Sequence, residues 1–347
     1  MAKPPSQARA AALWQPVEGS AAVRCGLCHH RCLIEPGERG DCCVRENRDG
    51  ALVTLTYGRL VSANVDPIEK KPLFHVLPGS TSLSVATVGC NFRCTFCQNW
   101  SISHWALQHP GRELPGDFAE PEEVAQAAVD RGCASISYTY TEPTIFWEWV
   151  ADAARAAQAR GVANVLVTNG YMTSEALDYV GDTITAANVD LKGLDREAQE
   201  AATGARPGPV QRTIRRMRER GIWVEVTTLV VPGLNDSEGE LRGIAGFLAD
   251  VDPDLPWHVS RFHPDHELRD RGPTPPETLR RACEWGREAG LRYVYAGNLR
   301  GDDNESTRCP GCGARVIERQ GFRLGRVALE GGRCTACGTA VAGIGMP

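Results

Sequence analysis

The sequence predicts an α/β fold, an open, partial (β/α)6 barrel flanked on each side by a cysteine-rich module. Three observations carry this reading. Between residues 81 and 300, short apolar runs alternate with helix-length stretches, the pattern of parallel strands joined by crossover helices. Polar motifs stand at the C-terminal end of each run in turn, the edge at which barrel-like α/β folds carry their active sites. Of the 14 cysteines, all but Cys133 and Cys283 fall into three clusters, one after the first run and one on either side of the alternating region.

Taken in order, residues 1–22 are rich in Ala, Pro and Gln and read as a flexible tail. Residues 23–80 form the N-terminal cysteine-rich module. It opens with Cys25-Gly-Leu-Cys28-His-His-Arg-Cys32, continues to Cys42-Cys43, and passes the turn signal Asn47-Arg-Asp-Gly50 into a strand-like run at 52–57. Thiolates at Cys25, Cys28, Cys32 and Cys42 suit a closed zinc site or a second iron–sulfur cluster, with His29, His30 or Cys43 able to replace one ligand; structural zinc is the preferred reading. The polar run from Asp66 to His75 contains two prolines and reads as a rigid loop, either lining an entrance or connecting module to barrel as a solvated strap.

The barrel spans residues 81–300. Its strands are expected at 83–88, 135–140, 165–168, 187–191, 223–231 and 258–262, with a seventh at 292–295. Helices are expected at 121–131, 144–160, 174–180, 209–220, 237–249 and 276–289. The strand-end motifs are Cys90 to Cys97, Thr141-Glu142-Pro143, Asn169-Gly170, Asp190 with Lys192, Pro232-Gly233-Leu-Asn235-Asp236, and His263-Pro264. His266, a little further on, reads as a solvated loop residue. Residues 303–347 carry Cys309-Pro-Gly-Cys312 and Cys334-Thr-Ala-Cys337, two knuckles in the pattern of a zinc ribbon with an all-cysteine site, with rubredoxin-like iron as the other occupant.

A formal net charge of -5 weighs against a broad nucleic-acid-binding face. The basic residues at Arg212, Arg215, Arg216, Arg218 and Arg220 have helical spacing and fit a solvated helix face. The opening residues lack the roughly 7–15-residue apolar stretch of a secretory signal. No segment approaches the roughly 20 apolar residues of a membrane span. A cytoplasmic location without membrane association is therefore expected, and there so many cysteines point to metal or redox chemistry rather than disulfides.

The sharpest chemical signal is the run Gly89-Cys90-Asn-Phe-Arg-Cys94-Thr-Phe-Cys97. Three thiolates from one loop can hold three irons of a cubane and leave the fourth open to a ligand, whereas an electron-carrier cluster has cysteine on every iron. A zinc knuckle completed by His104 or a distant cysteine is the plainer alternative. The spacing, with Phe96 before the last cysteine, resembles the signature of radical S-adenosylmethionine (SAM) enzymes. That resemblance implies a [4Fe–4S] cluster whose open iron is chelated by SAM, and reductive cleavage of SAM to a 5′-deoxyadenosyl radical that abstracts hydrogen.

Across residues 23–345 the chain resembles the radical SAM member of the AmmeMemoRadiSam system, a relative of the pyruvate formate-lyase activating enzymes. The resemblance rests on Cys25-x-x-Cys28-His-x-x-Cys32, Val44-Arg45-Glu-Asn47, the run from Asn64 to His75, Tyr138-Thr-Tyr-Thr-Glu-Pro143, Tyr293-Val-Tyr-Ala-Gly-Asn298 and the cysteine-rich end. It implies that Glu142, Asp190, Lys192 and His263 orient SAM. Tyr140-Thr141 stand where the activating enzymes carry Gly-Gly before the Glu-Pro pair, and Val167 replaces the aspartate of their cation site, which is not carried over. The bland alternatives are a helix-capping role for Glu142 and a plain ion pair for Asp190 and Lys192. Expected cofactors are a [4Fe–4S] cluster, SAM and Zn2+. Expected partners are an electron donor such as flavodoxin or ferredoxin, and a protein substrate or the other AmmeMemoRadiSam components. The competing function is a zinc-binding scaffold or RNA-binding protein without radical chemistry, for which a basic stripe with exposed aromatics would be required.

Overall fold

The structure, a computed structural model, describes residues 8–299 and 304–347; the start of the expected tail and the junction at 300–303 lie outside the described residues. Eight strands form one sheet whose spatial order follows the chain. They are β1 (Ser62–Pro67), β2 (Thr81–Ala86), β3 (Ser135–Tyr138), β4 (Ala163–Thr168), β5 (Ala186–Asp190), β6 (Trp223–Val230), β7 (Trp257–Arg261) and β8 (Val294–Gly297). β1 pairs antiparallel with β2, and every later neighbour pairs in parallel.

The crossovers are α1 (Pro121–Asp130), α2 (Trp147–Gln158), α3 (Ser174–Tyr179), α4 (Arg196–Thr203) with α5 (Pro207–Glu219), α6 (Glu238–Val251) and α7 (Pro276–Glu288). Right-handed crossovers in sequential order put the helices on one face of the sheet and turn all strand C-termini to one edge. β3 is buried throughout and β6 at all but one residue, and their buried polar side chains are paired: Ser135 and Ser137 with Ser82, Glu225 with His258, and Thr228 with the Leu191 carbonyl. Starts are set locally: Ser237 caps α6 by accepting the Glu240 N–H, and Glu120 with Glu123 forms a capping box on α1. Among the described residues no helix is long and apolar enough to cross a membrane.

Two expectations about the N-terminal region change. From Arg9 onward the expected tail is ordered: Arg9–Ala10 pairs with Val53 and Thr54, and Trp14–Pro16 pairs with Val23–Cys25. The backbone groups of a short polar segment found partners in the cysteine module, a pairing that composition does not reveal. The module packs on α2 through its polar groups, the Ala12 N–H donating to Glu148 at 2.7 Å and the Tyr57 hydroxyl to Asp152 at 2.5 Å, while Trp147 and Trp149 of the same helix are fully buried. Arg45, 1% exposed, locks the contact by pairing with Glu148 of α2 and donating to the Ala12 carbonyl at 2.8 Å.

The run from Asp66 to His75 is no solvated strap. Ile68–Lys70 makes one 3-10 turn, and Ile68, Glu69, Lys71, Leu73 and His75 are all buried. Glu225 of β6 accepts the backbone N–H groups of Phe74 and His75 at 3.0 and 2.8 Å. The C-terminal module, built on the antiparallel strands Arg315–Gln320 and Arg323–Val327, packs Val316 and Ile317 against Phe74, Tyr293 and Tyr295. Its last residues return to the same run, where Ile344 donates to the His75 carbonyl at 2.8 Å. Of the basic residues expected on a solvated face, Arg212, Arg215 and Arg216 are exposed, whereas Arg218 and Arg220 are half-buried, paired with Asp252 and Asp178.

Candidate active site

β2 delivers the chain into a loop that crosses the C-terminal edge of the sheet. Gly89 turns it at φ 101°, and a Cβ there would stand 2.8 Å from Val44 Cγ1, so the close approach of the N-terminal module requires glycine. The loop is then pinned to the end of α4: the N–H groups of Arg93 and Thr95 donate to the Thr203 and Ala202 carbonyls at 2.8 and 3.0 Å. Phe92 packs edge-on against Tyr171, with centroids 5.3 Å apart.

This arrangement presents Cys90, Cys94 and Cys97 to a cavity with about 1440 Å³ of atom-free space, open to solvent, whose wall also includes Glu142, Asp190 and Lys192. Donors already face the sulfurs: Phe92 N–H lies 3.3 Å from Cys90 Sγ and Ser103 Oγ lies 3.2 Å from Cys97 Sγ. Burial pushes the Cys94 thiol up to about 12, with Lys192 pulling against it. Thiolates here therefore need a bound cation to stabilise them, the condition that a metal centre meets. The three ligand atoms do not gather within 4.8 Å of one another as the C-terminal cysteines do. They suit separate corners of a cubane rather than one ion. His104, the candidate fourth zinc ligand, is engaged elsewhere, its Nδ1 lying 3.1 Å from His266 Nε2.

Asp190 and Lys192, two apart on the strand exit, form an ion pair at 3.0 Å. Burial disfavours the Lys192 charge, but Asp190 and Cys94 outweigh it and hold the ammonium above its usual range. Glu142 reaches the wall with its oxygens already occupied. It accepts the Thr144 N–H at 3.0 Å, the Thr168 hydroxyl at 2.7 Å and the Asn169 N–H at 2.8 Å, and so caps the turn Pro143–Phe146 while tying β3 to β4. Burial raises its carboxyl against these bonds. The geometry is that of a capping and positioning group.

His263 is exposed and does not line the cavity; Ser260 of β7 occupies the wall in its place. Phe262, directly after β7, is fully buried and its neighbour His263 is exposed, an alternation that position in the chain does not reveal. His266 is half-buried rather than solvated, stacked on Trp100 with centroids 5.2 Å apart. Asn169 is the residue that sequence reasoning undervalued. Its Nδ2 donates to Asn91 Oδ1 at 2.7 Å and lies 3.9 Å from Cys90 Sγ, and its place directly after β4 was the available signal.

Lys70 and Lys71, from the run before β2, also line the cavity. Asp66 accepts from Lys70 at 2.8 Å, from Lys71 at 2.7 Å and from the Tyr140 hydroxyl. These donors hold its carboxyl well below the usual range despite burial. Burial lowers Lys71 to about 8. Tyr140 sits at φ 64°, a left-handed conformation that a bulky residue adopts only under constraint.

The other cysteines stand apart from this cavity. Cys309, Cys312, Cys334 and Cys337 bring their sulfurs within 4.8 Å of one another, the geometry of a tetrahedral metal site closed by thiolates alone. Cys25, Cys28, Cys32 and Cys42 line a separate, smaller cavity.

Comparison with known proteins agrees with this geometry. The profile described as the Radical SAM superfamily matches residues 84–242. The chain is 44% identical over 319 residues to an uncharacterized protein of Methanocaldococcus jannaschii, covering 91% of this chain and 94% of that one. It is 31% identical over 182 residues to GTP 3',8-cyclase of Haemophilus influenzae, covering 51% of this chain and 50% of the cyclase. It is 21% identical over 197 residues to a pyruvate formate-lyase-activating enzyme of Clostridium pasteurianum, covering 52% of this chain and 80% of that enzyme. A radical SAM methyltransferase from Sphaerobacter thermophilus has the same fold, with a TM-score of 0.50 at 17% identity over 63% of this chain and 66% of the methyltransferase.

Proposed function

From the match of residues 84–242 to the radical SAM superfamily, we propose that the chain is an activating-enzyme-like enzyme acting on a protein or small-molecule substrate. The observation that carries the reading is the set of three separated thiols, Cys90, Cys94 and Cys97, facing one open cavity beside an Asp190–Lys192 pair. A [4Fe–4S] cluster held there would supply, with SAM, a 5′-deoxyadenosyl radical that abstracts hydrogen.

The chain's own groups do the rest. Lys192 keeps its charge beside the thiolates and offsets theirs. Asp190, half-exposed at the cavity wall, is positioned to receive the ammonium or ribose hydroxyls of SAM. Glu142 acts through Asn169, holding the backbone N–H of the residue whose side-chain amide lies near Cys90. Lys70 and Lys71, which share the single Asp66 carboxylate, also line the cavity, and their excess positive charge suits a substrate bearing an anionic group. The motif resemblance supports a link to the AmmeMemoRadiSam components and to a flavodoxin- or ferredoxin-like reductant in the cytoplasm. Zinc is the proposed occupant of the C-terminal tetrad, and the strand order suits a partial barrel.

The test is anaerobic reconstitution, reduction, and chromatographic detection of 5′-deoxyadenosine from SAM. The intact protein is expected to form it, and Cys94→Ala to form none while retaining the C-terminal metal. Undiminished cleavage by Cys94→Ala would remove the cluster from this loop.

A further inference from the structure

We propose that Cys25, Cys28, Cys32 and Cys42 hold a second [4Fe–4S] cluster, with cysteine on every iron, and that this cluster relays electrons to the site at Cys90 to Cys97. Spacing alone favoured structural zinc for these residues, and geometry reverses that preference. A zinc ion bound by four thiolates at ~2.3 Å draws the sulfurs to within ~4 Å of one another. The C-terminal tetrad meets this requirement, Cys309 and Cys337 lying 3.5 Å apart and Cys312 and Cys334 3.8 Å apart. Among the described residues it is the only group of three or more His, Cys, Asp or Glu ligand atoms gathered within 4.8 Å. The N-terminal cysteines do not close in this way, even with His30, Asp41 and Cys43 available as substitutes. Cys90, Cys94 and Cys97 share that wider spread. A cubane places each thiolate on a different iron, so wide spacing around a common space is what it requires.

The four cysteines face a common space. All of them line a single cavity, whose wall also carries Leu27, Ile34 and Ile145 together with His30 and Asp41. Arg45, buried in the same wall, donates from Nη1 to Cys25 Sγ at 3.2 Å. A buried guanidinium beside the sulfurs compensates thiolate charge, and hydrogen bonds to sulfur tune a cluster's reduction potential.

Four cysteine ligands leave no open iron, so this cluster is a carrier rather than a substrate site. Its position fits a relay. The Cys42 carbonyl lies 3.4 Å from where a Cβ of Gly89 would stand, and Gly89 precedes Cys90. His30, which lines the cavity, places Nε2 2.7 Å from the Asn91 carbonyl oxygen in the catalytic loop. Ile145 lines the cavity and also comes within 3.4 Å of the same Gly89 position. One electron would pass from a reduced low-potential donor protein, which is oxidised by one electron, to the second cluster and then to the catalytic one. The metal assignment stands independently of the proposed reaction, and the relay role rests on it.

The experiment uses the full chain, reconstituted anaerobically and assayed for iron, sulfide and zinc. About eight irons per chain are expected for the intact protein, and about four for a Cys90→Ala/Cys94→Ala/Cys97→Ala variant, which leaves the N-terminal site untouched. About four irons in the intact protein, with zinc filling the N-terminal site and none of the iron surviving in that variant, overturns the assignment. Retained iron in the variant without SAM cleavage by the intact protein upholds the second cluster while removing the proposed reaction. For the relay, a Cys28→Ala/Cys32→Ala variant is compared with dithionite and with reduced flavodoxin or ferredoxin as the electron source. Selective loss of cleavage with the protein donor supports the relay, and an equal ratio of the two rates in variant and intact protein overturns it.

Discussion

Tyr140 shows how a single side chain can replace what glycine supplies elsewhere. The activating enzymes carry Gly-Gly before their Glu-Pro pair. Here Tyr140 takes a φ of 64° and is held by its hydroxyl on Asp66 and by Asn99 Nδ2 donating to its carbonyl at 2.8 Å. Across the cavity, Asp190 balances Lys192, so Asp190→Asn leaves the ammonium without its nearest counter-charge. SAM affinity of the reconstituted protein should fall about tenfold, equivalent to about 1.4 kcal/mol, with iron content unchanged; equilibrium binding that shows no loss removes Asp190 from the SAM site. His75 makes a prediction of a different kind. Its Nδ1 faces the Ala342 carbonyl and its Nε2 the Tyr295 hydroxyl, each at 2.6 Å, a pattern that the neutral imidazole satisfies with Nδ1–H donating. Burial lowers its pKa from 6.5 to about 4, with Arg319 and His258 adding to the shift and Glu225 opposing it. The unfolded chain therefore takes up the proton first as pH falls, and stability drops between about pH 6.5 and about 4, by up to about 3 kcal/mol. Urea melts across that window should show a steeper loss in the parent than in His75→Asn, and parallel slopes would exclude His75 as the cause.

At the scale of elements, the most informative contact is between the cysteine loop and the N-terminal module. Gly89→Ala must seat a methyl 2.8 Å from Val44 Cγ1 at a left-handed φ. The expected cost is about 1–3 kcal/mol, seen as a lower melting temperature together with incomplete iron loading; normal melting and loading would show that the loop tolerates displacement. The parallel strands of the central sheet were legible because short runs rich in β-branched and aromatic residues alternate with helix-length stretches. α4 was not, since it is short and polar, and its limits come from Asp195 capping the Ala198 N–H at 2.9 Å and from Gly204 at φ 75°. The first two ribbons of the N-terminal module were equally hidden, because pairing between short segments depends on a partner distant in the chain rather than on local composition.

For the whole molecule, the C-terminal module is a clamp as well as a metal site. It buries Tyr293, Tyr295 and Phe74 at the last strand of the sheet and returns its final residues to the run before β2. Cys312→Ser should release one metal ion and lower the melting temperature of the full chain, because closed thiolate sites contribute folding energy to modules too small to bury a core. Loss of metal with unchanged melting would show that the clamp holds without it. The order of strands, the edge that carries the chemistry and the three cysteine clusters were all readable from residue order. They follow from covalent spacing and local periodicity, which folding cannot alter. Whether a cysteine set closes around one ion or spreads around a larger space, whether Glu142 has an oxygen to spare, and that His263 turns away from the cavity depended on the packed chain. Each is a matter of distances of a few ångströms between segments far apart in sequence, and only the burial of those segments against one another sets such distances.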